Sequence, residues 1–222
     1  MKGATILFSE MSPDLDWEDD FNKWYDTHRI PQRMQVPGFI SAQRYRNTER
    51  PNYLAFYELE SSAVLESEAY LKVDAQPHAT TRWMLNNVQG QTRYLANQIA
   101  EATRGGDPEA LMNMPFIYAV FFSVPDDRAG EFNEWYDTER VPMLLKCEDW
   151  QMVRRFEVYE GDPQPWTHLA VSYLSDISAL DSPELDAARN SDWCKRLSEE
   201  PWFQASYLIF ERFGERFVRE AV

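Results

Sequence analysis

The 222-residue sequence has few residues of the kinds that form disulfide frameworks or metal centres. It contains two cysteines, Cys147 and Cys194, and three histidines. The cysteines form no CxxC motif, which favours free thiols, and we expect a cytoplasmic protein. No two histidines lie three or four residues apart, so the sequence predicts no metal site.

Basic side chains are outnumbered, since 22 Lys and Arg residues stand against 37 Asp and Glu residues and the formal net charge is −15. An acidic surface repels phosphate backbones and anionic lipids, so we expect no nucleic-acid or membrane partner. No apolar run approaches the roughly 18 residues of a transmembrane helix. The apolar run at residues 4–8 is too short for a signal peptide.

The sequence also lacks GxGxxG, GxxxxGK[ST] and GxSxG, the motifs of dinucleotide-binding, P-loop and serine-hydrolase sites. We therefore expect any activity to need no cofactor: no metal, flavin or nicotinamide. Recruitment of a haem by His78 and Trp83 is a weaker alternative, because no spacing requires it.

What the sequence does contain is an internal repeat. FNKWYDTHRIP at residues 21–31 returns as FNEWYDTERVP at residues 132–142, with eight of eleven positions identical. Around each copy, strand-like and helix-like segments follow the order β-α-β-β-α-β, the ferredoxin-like pattern. We expect an α+β fold of two fused repeats, 1–103 and 114–222 with a linker at 104–113. Each sheet would carry helices on one face only, so the pair would close into one barrel with its helices outside.

The first helix of each repeat has one apolar face. Trp17, Phe21, Trp24 and His28 recur at α-helical spacing, and Glu139 takes the place of His28 in the second repeat. The spacing therefore predicts that His28 and Glu139 are directed into the gap between helix and sheet.

Three strings resemble the EthD-type members of the dimeric α/β-barrel superfamily: WYDTHRIP at 24–31, VPGF at 36–39 and QRY at 43–45. The resemblance covers the core of both repeats. It implies a small-molecule pocket between helices and sheet, in a superfamily that includes muconolactone isomerases, polyketide cyclases and cofactor-free monooxygenases.

One position departs from the family pattern. Members usually have Glu-His before Ile-Pro, whereas this sequence has His28-Arg29 and Glu139-Arg140. Arginine thus occupies the usual histidine position in both repeats, and a histidine stands one place earlier in the first repeat only.

Our leading hypothesis from the sequence is a cofactor-independent lyase, isomerase or cyclase that acts on a small aromatic or polyketide-like molecule by general acid/base chemistry. His28 would be the base, since imidazole titrates near neutral pH. Tyr25, Arg44 and Tyr45 would orient a substrate oxygen or stabilise an enolate.

Further candidates would contact the substrate in the first repeat: Trp24, Tyr53, Tyr57, His78 and Trp83. Tyrosines that suit an aromatic ligand recur in the predicted strands: Tyr45, Tyr53, Tyr57, Tyr94, Tyr118, Tyr173 and Tyr207.

The second repeat offers Glu139, Arg154 and His168 as candidates. A buried carboxylate needs a partner, and we expect Glu139 to pair with Arg154 or Arg155. The pocket is accordingly predicted in the first repeat. Alternatives are a cofactor-free monooxygenase, a non-catalytic small-molecule binding protein, and a purely structural duplication. Exposed strand edges leave room for a homodimer.

Overall fold

The computed structural model describes residues 2–75, 77–163 and 165–219, and its contacts divide the chain into two compact units. Unit 1 comprises Met1–Asn97, Glu160–Pro163 and Phe213–Val222, and unit 2 comprises Gln98–Tyr159 and Gln164–Arg212. No helix in the described part of the chain is long and apolar enough to cross a membrane.

Unit 1 contains an antiparallel sheet with four α-helices. Its strands are β1 (Thr5–Ser12), β2 (Phe39–Asn47), β3 (Tyr53–Leu59) and the start of β4 (Gln89–Thr103), and its helices are α1 (Glu18–Trp24), α2 (Ile30–Met34), α3 (Glu68–Ala75) and α4 (Ala79–Asn87). Strand β1 pairs with β3 and β4, and β2 pairs with β3. Strand β3 is buried along its whole length, because its alternate side chains pack on both faces of the sheet.

Apart from one additional short helix before its first strand, unit 2 has strands and helices in the same order as unit 1. Its strands are β5 (Phe116–Phe122), β6 (Trp150–Asp162), β7 (His168–Leu174) and β8 (Ala205–Val218), and its helices are α5 (Pro108–Leu111), α6 (Ala129–Trp135), α7 (Val141–Leu144), α8 (Pro183–Arg189) and α9 (Asp192–Ser198). Strand β5 pairs with β7 and β8, and β6 pairs with β7. The hydrogen-bonded strand order is therefore β2-β3-β1-β4 in the first sheet and β6-β7-β5-β8 in the second, and all of these pairs are antiparallel.

The predicted linker at 104–113 lies in unit 2 and includes α5. Strand β4 begins in unit 1 and continues past Asn97 into unit 2, and β8 begins in unit 2 and ends in unit 1. Strand β4 has 15 residues and β8 has 14, against 8 for β1.

A π-turn interrupts the first long helix of each unit, over Tyr25–Arg29 and over Tyr136–Arg140. A π-turn bonds residue i to i+5 and so takes up one residue more than an α-turn. The predicted apolar face is therefore correct as far as Trp24 and wrong at His28. His28 is exposed, while Arg29 is only 4% exposed.

Candidate functional site

The repeated motif contains a hydrogen-bonded arginine clamp. In unit 1, Arg44 on β2 donates to Asp26 (3.0 Å) and to the side chain of Asn22 (2.5 Å). In unit 2, Arg155 on β6 donates to Asp137 (2.7 Å) and to the side chain of Asn133. The Asn and Asp shared by the two copies therefore join the first helix of each unit to its sheet.

Arg44, which the sequence predicts as a catalytic group, donates its hydrogen bonds to Asp26 and Asn22 within this clamp. Its guanidinium lies 4.8 Å from the ring centroid of Tyr25, 5.1 Å from that of Tyr53 and 5.0 Å from that of Phe213. Tyr45 is the next residue along β2 and is buried on the opposite face of the strand. Tyr25, Arg44 and Tyr45 therefore do not converge on one space, because alternation along β2 separates the last two.

The outer side of unit 1 brings together three of the predicted residues. Trp24, His28 and Trp83 line an open groove of about 370 Å³ beside α1 and α4. His28 Nδ1 lies 2.7 Å from the hydroxyl of Thr27. His78 is exposed at the start of α4, where its ring accepts from the backbone N–H of Thr80 (3.4 Å).

The space between helix and sheet in unit 1 is filled by side chains. Tyr25, Tyr57 and Tyr70 are buried there, and Arg33, 5% exposed, lies with its guanidinium 4.9 Å from the ring centroid of Tyr57. Burial raises the pKa of Tyr57, against the positive charges of Arg33 and Arg29, so the phenol is neutral. None of these four side chains lines the groove beside α1 and α4.

The corresponding space in unit 2 is a cavity of about 150 Å³. Phe122, Trp135 and Phe203 are among its aromatic walls, and the side chains of Arg140 and Arg189 provide positive charge. The remaining lining residues are Tyr118, Val120, Tyr136, Cys194, Ala205 and Tyr207. Tyr207 is 61% exposed and lies where the cavity meets solvent.

Each arginine of the cavity faces a phenol. Burial raises the pKa of Tyr118, opposed by its hydrogen bond to Arg189 and the charge of that residue. Burial likewise raises the pKa of Tyr136, opposed by the charges of Arg140 and Arg155. Both phenols are therefore neutral near pH 7 and can donate hydrogen bonds, and both guanidiniums are cations. The cavity is suited to an aromatic ligand that carries a negative or acidic oxygen.

Cross-strand register explains why the two units differ here. In unit 1, Leu7 of β1 lies opposite Tyr57 of β3. In unit 2, Tyr118 of β5 lies opposite Ser172 of β7. Ser172 thus stands where unit 1 has the buried phenol of Tyr57. Leu144 stands in unit 2 at the repeat position of Arg33, which removes the long side chain that covers Tyr57.

The predicted ion pair of Glu139 is wrong. Glu139, in the π-turn, accepts a hydrogen bond from the hydroxyl of Ser191 (2.6 Å), the residue that precedes α9. Arg155 pairs with Asp137 instead, and Arg154, on the opposite face of β6, lies 3.8 Å from Glu101. The π-turn is again the reason, because it directs Arg140 rather than Glu139 inward.

His168 is buried on β7 beside the arginine clamp of unit 2. Its ring packs edge-on against Phe132 at 5.1 Å, and its Nδ1 lies 3.0 Å from the hydroxyl of Thr167. Burial lowers the pKa of His168 to about 4, and the positive charge of Arg155 adds to the effect. His168 is therefore neutral near pH 7.

Two charged residues that line the cavity of unit 2, Arg140 and Arg189, are not among the site residues predicted from the sequence. One sequence signal points to Arg140: both repeats have an arginine at the position where members of the family usually have a histidine. Nothing local marks Arg189, because it reaches the cavity only through the packing of α8. In the described residues, no group of three His, Cys, Asp or Glu side chains could hold a metal ion.

Comparison with known proteins gives relatives by structure alone. No protein-family model matches the sequence, and no curated protein matches it. An anthrone oxidase-like protein superposes with a TM-score of 0.73 at 11% identity, over 98% of this chain and 93% of that chain. A chlorite dismutase variant from Candidatus Nitrospira defluvii gives 0.61 at 9% identity, over 96% and 93%.

A candidate monooxygenase from Fusobacterium nucleatum subsp. nucleatum gives a TM-score of 0.59 at 10% identity, over 100% of this chain and 98% of that chain. These neighbours belong to the dimeric α/β-barrel superfamily. At such low identity the likeness shows the fold, and this chain has the fold of that superfamily.

Proposed function

We propose that the protein is an enzyme that binds a small aromatic molecule with an ionisable oxygen in the cavity of unit 2. The observation that carries the proposal is the pairing of Arg140 with Tyr136 and of Arg189 with Tyr118 at one aromatic-walled cavity. Two cations and two neutral phenols stabilise a phenolate or enolate more than its neutral form. A cavity of about 150 Å³ that opens to solvent beside Tyr207 holds one or two rings of an aromatic substrate and lets a further ring extend outward.

The reaction that this arrangement favours is oxygenation of the stabilised anion by dioxygen. The lining residues of the cavity include no histidine and no carboxylate, so a substrate that loses its proton readily suits it better than one that needs a strong base. For an activated methylene between two rings the step balances as R₂CH₂ + O₂ → R₂C=O + H₂O. One oxygen atom becomes the carbonyl, the other leaves as water, and the methylene carbon is oxidised.

The structural neighbours support this choice, since they include an anthrone oxidase-like protein and a candidate monooxygenase. Anthrone-type compounds carry such a methylene and ionise to a conjugated enolate, which the two guanidiniums would stabilise. The protein would need no cofactor for this step, because the substrate anion itself supplies the electrons.

A second candidate function keeps the lyase, isomerase or cyclase chemistry that the sequence favoured. It has support at a different place, the open groove that contains Trp24, His28 and Trp83. His28 is exposed there and is available as a base, and general acid/base catalysis contributes about 10²–10⁴-fold. A non-catalytic binding protein would use the same cavity as the oxygenase and would show binding without turnover.

We extend the proposal to the chain as a whole. It would be an EthD-like member of the superfamily with two fused ferredoxin-like repeats, cytoplasmic and forming a homodimer. The repeat at residues 21–31 and 132–142 and the matching arginine clamps support the fusion.

The test compares Arg140→Met with His28→Gln. Binding of 2-naphthol is measured by calorimetry, and dioxygen consumption is measured with a panel of anthrones and hydroquinones. We expect Arg140→Met to lower kcat/KM by about 10²–10³-fold, the usual value of one oxyanion donor, and His28→Gln to change it little.

The reverse pattern would place the reaction in the groove beside α1. Binding of 2-naphthol by the unaltered protein without turnover of any compound in the panel would favour the binding protein. Unchanged kcat/KM in Arg140→Met would refute the oxyanion role.

A further inference from the structure

The indole N–H of the tryptophan in the repeated motif is hydrogen-bonded in unit 1 but has no acceptor among the described residues of unit 2. In unit 1 the indole N–H of Trp24 donates to the hydroxyl of Thr81 at 3.1 Å, and both residues are buried. In unit 2 the tryptophan at the same repeat position is Trp135, and the third residue of α9 is Cys194, where the third residue of α4 is Thr81. The hydroxyl that satisfies the indole of unit 1 is therefore replaced by a thiol.

The indole N–H of Trp135 consequently has no protein acceptor among the described residues. Trp135 is 2% exposed, so the group is also shielded from bulk water. Buried indole N–H groups usually have a partner, and a buried donor without one costs free energy that a later acceptor can recover. Its ring packs against Phe203 at 5.3 Å and against Tyr136 at 5.2 Å, which restricts the orientation of the indole.

Both Trp135 and Cys194 line the cavity of unit 2. The guanidinium of Arg140 lies 5.9 Å from the ring centroid of Trp135, so a cation lies beside the indole whose N–H has no acceptor among the described residues. Burial raises the pKa of the Cys194 thiol, so this side chain stays neutral and adds no negative charge beside the donor.

We propose that Trp135 is a ligand-binding residue whose indole N–H donates to an oxygen of the aromatic ligand, and that Cys194 keeps this donor available by not accepting its hydrogen bond. The proposal rests on the proposed function and adds to it the orientation of the ligand in the cavity. The oxygen of the ligand lies toward Trp135 and Arg140, and the hydrocarbon part lies toward Phe122. In unit 1, by contrast, the hydroxyl of Thr81 accepts the hydrogen bond of the Trp24 indole N–H.

The test uses two substitutions of nearly equal shape. Cys194→Thr supplies the hydroxyl that unit 1 has, and Cys194→Val supplies the same volume without it. Binding of 2-naphthol is measured by calorimetry for both variants, with naphthalene as the ligand that has no oxygen. We expect Cys194→Thr to bind 2-naphthol about five- to tenfold more weakly than Cys194→Val, because its hydroxyl captures the indole N–H.

Four further measurements complete the design. Naphthalene is expected to bind the two variants equally. In a Trp135→Phe background the difference between the two variants should disappear. Thr81→Cys in unit 1 is the matched control and should leave 2-naphthol binding unchanged. The indole ¹H–¹⁵N resonance of Trp135 should shift on addition of 2-naphthol to the unaltered protein and not on addition of naphthalene.

Equal binding of 2-naphthol by Cys194→Thr and Cys194→Val would overturn the role of Trp135 while leaving the proposed function intact. Failure of the unaltered protein to bind 2-naphthol would overturn both. An indole resonance that does not respond to bound 2-naphthol would overturn the proposed orientation even if the variants proved too unstable to study.

Discussion

The protein should become less stable in mild acid, because the imidazole of His168 gains a proton there in the unfolded chain and not in the folded one. The folded state holds this imidazole with a pKa of about 4, against 6.5 for the unperturbed group, because burial and the charge of Arg155 disfavour the cation. The unfolded chain therefore binds a proton that the folded chain does not. Stability rises with pH where the unfolded state binds more protons, so it is lost as the pH falls from above 6.5 toward 4.

The magnitude follows from the two pKa values. Between pH 7.5 and pH 5.5 the unfolded histidine becomes about 90% protonated while the folded one stays neutral, which removes about 1.3 kcal/mol of unfolding free energy. This change in unfolding free energy depends on the pKa of the histidine in the unfolded chain, because the folded imidazole is still neutral at pH 5.5. We stop at that pH because the sequence pI is about 4.6 and precipitation is expected close to it.

The assay is urea unfolding of the unaltered protein and of His168→Gln at several pH values between 5.5 and 7.5. Glutamine is neutral throughout and retains a polar group near Thr167. The loss of unfolding free energy toward pH 5.5 should be about 1.3 kcal/mol smaller in the variant. Equal slopes in both proteins, or a folded-state imidazole pKa near 6.5 by NMR titration, would refute the assigned environment of His168.

Two predictions concern the scaffold. Asp137→Ala should lower the unfolding free energy by about 2–4 kcal/mol in urea denaturation, because it leaves the buried guanidinium of Arg155 without its carboxylate; an unchanged midpoint would show that the clamp is not needed for stability. Gly38→Ala should cost about 1–3 kcal/mol, since Gly38 has φ +92° and an added Cβ would lie 2.3 Å from Val64. Gly105→Ala is the control, because nothing lies within 4 Å of its added Cβ; equal melting temperatures for the two glycine variants would contradict the strain assigned to Gly38.

The sequence by itself determined the order of elements and the internal correspondence between the units. Apolar runs predicted the buried strands, and the repeat aligned Trp24 with Trp135. Periodicity also placed Phe21 and Trp24 on the buried face of the first helix, where both lie. Local spacing suffices for these features because each depends on the regular rise of a helix or strand.

The tertiary structure decided which charged side chains enter the interior. The π-turn at residues 136–140 places Arg140 at the cavity of unit 2 and Glu139 beside Ser191, and α-helical spacing contains no sign of it. The prediction of a catalytic pocket around His28 was made on that spacing. The two places that the structure offers, the groove beside His28 and the cavity beside Arg140, are distinguished by the kinetic test.

The cavity itself depends on contacts between distant parts of the chain. Tyr118 has the small Ser172 as its cross-strand partner, and Trp135 lines the same cavity as Cys194, with no acceptor for its indole N–H among the described residues. Each pair is separated by more than 50 residues, and neither partner has an unusual local pattern. Strand register and helix packing bring them together only in the folded chain, so the physical origin of the site lies in long-range packing and not in any segment of the sequence.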